Sequence, residues 1–280
     1  MVTARRPGRM PLALMGAGAL ISVALAVALT VVALRDDASA DERDVVPGTS
    51  AGTAPDPVAG TSAFGTPETD LFGRRVDVPV RTAGVVLQQK PDQRQQPGTP
   101  GWTAAAPTPP NGEGVWQRLF GGPVVRFSAS DGPSRIDGSA ALGFAHTPQG
   151  AALAAEQIYW RTNANPRDRD LLTRLVDVTP QYMAEYDRLV AEGKVSDRLP
   201  DKLRPLLFAS DAFRIESYAD DFAKVQFARK ARETVDGQPT WVGMRLAVRW
   251  RDGDWKLTTV TGDERVQIES LRSIEGWTQW

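Results

Sequence analysis

Few side chains in this sequence are equipped for chemistry. His146 is its single histidine. It stands between Phe144-Ala145 and Thr147-Pro148, just ahead of a helix start. An imidazole there could act as an acid–base group. It could also be a structural ring that anchors the start of the helix, and this is the favoured reading because no Ser or Asp is spaced to partner it. Asp170 and Asp187 could each act as a catalytic carboxylate, provided they line a deep mouth that raises their pKa. A different pattern is electrostatic. Arg214, Lys224, Arg245, Arg249 and Lys256 each fall between apolar neighbours on strand-like segments, so the period of two gathers them on one face. They are the candidate partner-binding residues, suited to an acidic protein or polymer. The bland alternative is a solvated face, covered in part by Asp263 and Glu264.

Other chemistries are closed off. The chain has no cysteine, which removes disulfides, thiolate metal sites and a Cys nucleophile. One histidine cannot form a His-pair metal site. There is no phosphate-binding loop, zinc motif or G-x-S-x-G elbow. No catalytic, cofactor-binding or metal-ligating residue is assigned, and no cofactor is expected. The formal net charge of -1 gives no global field that would attract nucleic acid, so no nucleic-acid contact is expected.

The elements that position the cations are legible as four strands. Phe213, Ile215 and Ser217 alternate with Arg214, Glu216 and Tyr218; Ala223, Val225 and Phe227 follow the same rule, as do Val242 to Trp250 and Trp255 to Thr259. Asp252-Gly253 predicts a two-residue hairpin that sets Trp250 against Trp255 and Val248 against Leu257. Asp236-Gly237 predicts a second, opposing Val225 to Val248 and Lys224 to Arg249. A three-residue loop, Ala219-Asp220-Asp221, sets Ile215 against Val225. In each case the apolar sides coincide, and a slip of one residue would turn a strand's apolar set to water.

Upstream, Thr147 as N-cap and Pro148 predict an Ala-rich helix that ends before Pro166. Ala151, Ala154, Ala155 and Ile158 share one of its faces. Helices over 168–178 and from Thr179-Pro180 to about Glu192 follow, and then a shorter helical piece near 201–208. Val115 to Ser130 reads as extended, with Val124, Val125 and Phe127 buried. The expectation is an α+β domain over 114–280, with helices packed on a four-stranded antiparallel meander. Trp277 and Trp280 either close its core or serve as partner anchors; core closure is favoured.

Ahead of that domain, residues 12–34 carry no charge and are long enough to cross a bilayer as a helix. Arg5, Arg6 and Arg9 precede them and acids follow, which predicts a cytoplasmic N-terminus (1–11) and an extracytoplasmic domain in a single-pass cell-membrane protein. The rival reading is a cleaved signal peptide ending at Ala38-Ser39-Ala40. Residues 35–113 hold eleven of the 21 prolines between Pro47 and Pro110, and read as a disordered tether. Within it, Phe72 to Gln89 contains a strand near 72–89, docked on the chain's own domain or offered to a partner's sheet edge; the former is favoured.

The order of helices and then a meander ending in Trp250 to Leu257 resembles the nuclear-transport-factor-2-like cone. The stretch Gly132 to Ala155, with its GFAHTPQGA segment, and the tail Leu271 to Trp280 resemble an uncharacterised actinobacterial family of single-pass membrane proteins associated with conjugative and integrative elements. That resemblance implies a non-enzymatic cell-envelope component, a scaffold or interaction subunit of a conjugation or type IV secretion-like assembly, whose partners are the membrane and envelope or transfer proteins. The alternative is a small-ligand binder or an enzyme that uses the cone pocket.

Overall fold

The computed structural model describes residues 63–70, 72–198, 200, 207, 209–259 and 268–280. The fold is laid around one helix, α1 (Pro148–Ala164), whose seventeen residues are all buried. Thr147 caps it: its hydroxyl oxygen accepts from the Gly150 N–H at 2.9 Å, and Pro148 fills the first position, where no N–H is needed. Gly150 is required by close approach, since a Cβ there would lie 2.0 Å from the Ala145 carbonyl oxygen. A helix buried on every side needs cover on every side. The predicted single apolar face is therefore only half of its packing.

One cover is an irregular layer made by the N-terminal part of the described chain. β1 (Glu68–Thr69) pairs with β2 (Arg75–Val76), β3 (Trp116–Arg118) with β4 (Val124–Arg126), and β5 (Arg135–Asp137) with β6 (Ala140–Leu142), all antiparallel. Asp77 ties β2 to β3: its N–H donates to the Trp116 carbonyl at 2.8 Å and its carbonyl accepts from Arg118 at 3.0 Å. Polar side chains of α1 hold this layer by its backbone. The Gln149 amide donates to the carbonyls of Trp102 (3.0 Å) and Ala105 (3.1 Å), Gln157 to that of Arg126 (2.7 Å), and Arg161 to that of Ser139 (2.9 Å). Buried carbonyls of irregular chain must find donors, and α1 supplies them.

Two further helices follow, α2 (Arg169–Leu175), capped by Asp168, and α3 (Pro180–Ala191), capped by Thr179. The other cover of α1 is a seven-stranded mixed sheet. Its strands are β7 (Val176–Asp177), β8 (Ala212–Ala219), β9 (Phe222–Val235), β10 (Gln238–Arg251), β11 (Asp254–Thr258), β12 (Ile268–Leu271) and β13 (Thr278–Gln279). The order is β13-β8-β9-β10-β11-β7, and β12 pairs with β10 beyond the end of β11. Among the described strand pairs of this sheet, β11–β7 alone is parallel. Ala223, Val225, Phe227, Leu246, Val248, Trp255 and Leu257 face α1.

The registers show how the apolar face is kept. Trp250 opposes Trp255 and Val248 opposes Leu257, as the Asp252-Gly253 turn requires. At the Asp236-Gly237 hairpin Gln238 opposes Val235, but past an irregularity between Pro239 and Trp241 the partners slide by two, so Val225 meets Leu246 and Lys224 meets Ala247. A slide of two preserves the face. Ile215 does oppose Val225, through a two-residue turn and a bulge at Glu216 rather than a three-residue loop.

Several expectations are corrected. The sheet is not a four-stranded meander, and the nuclear-transport-factor-2-like cone is not the architecture; β7, β12 and β13 add strands whose two to four residues are too short to show a period. Residues 176–178, assigned to the second helix, hold β7 instead. The tether is not disordered over its described part: Val76 is fully buried, and residues 101–110 are bonded to α1 and to Arg126. Phe72 to Gln89 docks on the chain's own domain through β2. The single-pass, cell-membrane placement is also corrected. No helix among the described residues is long and apolar enough to cross a membrane; α1 carries Gln149, Glu156, Gln157 and Arg161. The predicted span over 12–34, and the 201–206 portion of the fourth helical piece, lie outside the described residues.

Candidate functional site

The five candidate cations lie on the sheet face turned away from α1, placed there by strand parity. Arg249 is opposite Lys256, as expected. Lys224 is opposite Ala247 instead of Arg249, because of the slide in β9. This relieves the row of adjacent like charges that the sequence implied. Each cation has an intramolecular partner. Arg245 lies 2.8 Å from Glu216 and 3.1 Å from Glu269; Lys224 is 3.9 Å from the same Glu216. Arg249 and Arg251 share Asp177 at 3.1 and 2.5 Å, and Lys256 is 2.7 Å from Asp252. Arg214 donates to Gln226 at 2.6 Å and lies 4.8 Å from the centre of the Trp277 ring. Asp263 and Glu264, the expected cover, lie outside the described residues; Glu269 of β12 and Asp177 of β7 supply the acids.

The chain from β12 to β13 crosses this same face. β12 sits beside β10 and β13 beside β8, so residues 272–277 span the ends of three strands. Trp277 comes down on Arg214, while Trp280 turns inward against Phe213 at 4.2 Å and donates its Nε1–H to Ser210 Oγ at 2.7 Å. Trp280 thus joins the core, and Trp277 belongs to the charged face. Between the crossing and β10 lies a groove of about 310 Å³, lined by Gln238, Pro239, Trp241, Arg272, Ser273, Ile274, Glu275 and Gln279.

The other candidates are not brought together. His146 is exposed; it stacks on Trp250 at 4.0 Å and 9°, and its Nε2 meets the Asp220 carbonyl oxygen. The ring therefore pins the start of α1 to the end of the sheet. Asp187 pairs with Arg169 at 2.9 Å, which holds its carboxyl below the usual range, and Asp170 pairs with Arg174 at 3.3 Å. Both are exposed on helices. The space between α1 and the sheet is occupied by Ala151, Ala155, Phe213, Phe227, Val248 and Trp255.

Sequence reasoning missed the buried carboxylates. Glu156 is 2% exposed, accepts from Ser210 N (3.2 Å) and Oγ (2.9 Å), and lies 3.7 Å from Arg229. Burial pushes its carboxyl up, against the pull of Arg229 and Ser210. Asp131 accepts hydroxyl bonds from Ser130 (2.5 Å) and Thr147 (2.6 Å), and burial raises it as well. Asp254, also raised by burial, accepts from the N–H groups of Gly143 and Trp255 at 2.6 and 2.9 Å. Glu156 had one readable signal, a single acid within an Ala-rich run. The lone pairs of these acids are taken up by the chain's own donors, so their visible work is to bind one segment to another.

The fold is thus a helix enclosed between a mixed sheet and a strand-and-loop layer, with an ion-paired outer sheet face. Residues 77–279 match the family described as a domain of unknown function (DUF8175), and the chain belongs to that family. No curated protein and no solved structure is a significant match.

Proposed function

We propose that this chain is a non-catalytic interaction subunit that docks an acidic partner protein on the outer face of its sheet, within an assembly of the conjugation or secretion kind that the GFAHTPQGA resemblance implies. One observation carries the reading: on that face carboxylates are shared between cations. Glu216 serves Arg245 and Lys224, and Asp177 serves Arg249 and Arg251. Arg214 meets an amide and an aromatic ring in place of a carboxylate. Among the described residues, Arg214, Lys224, Arg245, Arg249, Arg251 and Lys256 thus face Glu216, Glu269, Asp177 and Asp252, a surplus of cations that an acidic surface would complement. Pre-paired side chains also lose less entropy on docking.

The test is affinity capture with the full-length chain from its native host, in parallel with the R214E/K224E/R249E variant. Capture of transfer or secretion proteins that falls at least tenfold in the variant, and weakens as salt is raised, supports the reading. Equal capture by both, or a DNA-transfer frequency unchanged by deletion of the chain, would overturn it.

A further inference from the structure

The groove beside the 272–277 crossing opens on the same face as the cations. Trp241 opposes Leu271 across the β10–β12 pair, and Gly243 opposes Glu269. A Cβ at Gly243 would meet Glu269 and Leu271 side chains at 2.9 and 3.0 Å, so those side chains lie over the outer face, and Trp241 shares it with Leu271. Beyond Leu271 the chain leaves β10 and turns at Ser273 to Trp277, whose N–H closes on the Ile274 carbonyl at 3.1 Å. The parting of the two strands makes the groove. Its walls are mixed: Trp241, Pro239 and Ile274 are apolar, while Gln238 and Gln279 add amide groups. Its volume of about 310 Å³ is at the small end for ligand clefts, and it is open on top.

Resting on the docking face argued above, we propose that this groove is its anchor pocket, which takes one large apolar side chain from an extended acidic segment of the partner. Interfaces concentrate their energy where an aromatic-lined pocket is ringed by polar groups, and Trp is among the residues most favoured there. The cation surplus specifies the acidic flanks, and the groove supplies the discrimination that charge alone lacks. Arg272 and Glu275 on its rim favour a backbone that carries both donors and acceptors, as a peptide does.

The experiment measures fluorescence anisotropy of the full-length chain with two labelled nonapeptides of alternating Asp and Glu, one with a central Leu and one with a central Ala. The Leu peptide is expected to bind at least tenfold more tightly. S273W, which fills the groove from an exposed turn, is expected to erase that difference while leaving the weaker, salt-sensitive binding of the Ala peptide. R214E/R245E, which reverses the cations about four strand residues from Trp241 and so within reach of the flanks, is expected to weaken both peptides equally. If the Leu and Ala peptides bind alike, or S273W leaves their ratio unchanged, the anchor pocket is refuted while the docking face stands. If R214E/R245E leaves both peptides unaffected, the docking face itself is refuted. A severalfold rise in binding on D263N/E264Q would identify the chain's own acidic segment as the occupant, and refutes a partner.

Discussion

At the scale of single residues, the chain uses buried charge to join segments that are distant in sequence. Glu156 links α1 to Ser210 and Arg229, 54 and 73 positions on. Glu156→Ala would take from the buried Arg229 guanidinium the carboxylate 3.7 Å away and from Ser210 its acceptor. The expected loss is about 3–5 kcal/mol, read as a lower urea midpoint at unchanged slope; Glu156→Gln, which keeps the Ser210 contact, should lose less. Asp131 gives a pH signature. Its folded-state pKa lies above the unfolded value of about 3.9, so the ionised form is disfavoured in the fold at neutral pH. That penalty is relieved as pH falls through the folded value and changes no further below about 3.9. The difference in stability between the parent chain and D131N should therefore move in the parent's favour on acidification from pH 7 to about 4. A difference that is flat across this window would contradict it.

At the scale of elements, the start of α1 is the tightest joint. Gly150→Ala would gain helix propensity but drive a methyl into the Ala145 carbonyl; overpacking of that kind costs about 1–3 kcal/mol, and a net fall in thermal stability is expected. The bonds from Gln149 to residues 101–105 make a different prediction. Gln149→Leu should increase proteolytic cleavage within 95–113 severalfold, because the loss is of local anchoring rather than of the sheet. Elements also differ in legibility. α1 and α3 were readable because Thr-Pro pairs mark their starts, and β8 to β11 because alternation and Asp-Gly turns mark theirs. β7 and β13 are two residues each and show no period at all; their pairing is decided by what lies beside them. The two-residue slide in β9 was equally invisible, since it leaves every apolar side chain on the same face.

At the scale of the whole molecule, the proline-rich stretch is part of the fold. A chain that begins at residue 63 should keep one cooperative unfolding transition, whereas one that begins at 114 should lose it, because it strips Val76 from the core and uncovers Gln149 and Arg126; circular dichroism melts of the two would decide. The sequence by itself determined the helix caps, the turns, the apolar side of the sheet and the side on which the cations stand, because each depends on spacing along a few neighbouring residues. Only the tertiary structure decided that α1 is enclosed on both sides, that low-hydropathy chain can be held by side-chain donors aimed at its carbonyls, and that the candidate cations share their acids with one another. Those outcomes depend on groups brought together from far apart in the chain, and local periodicity carries no record of such meetings.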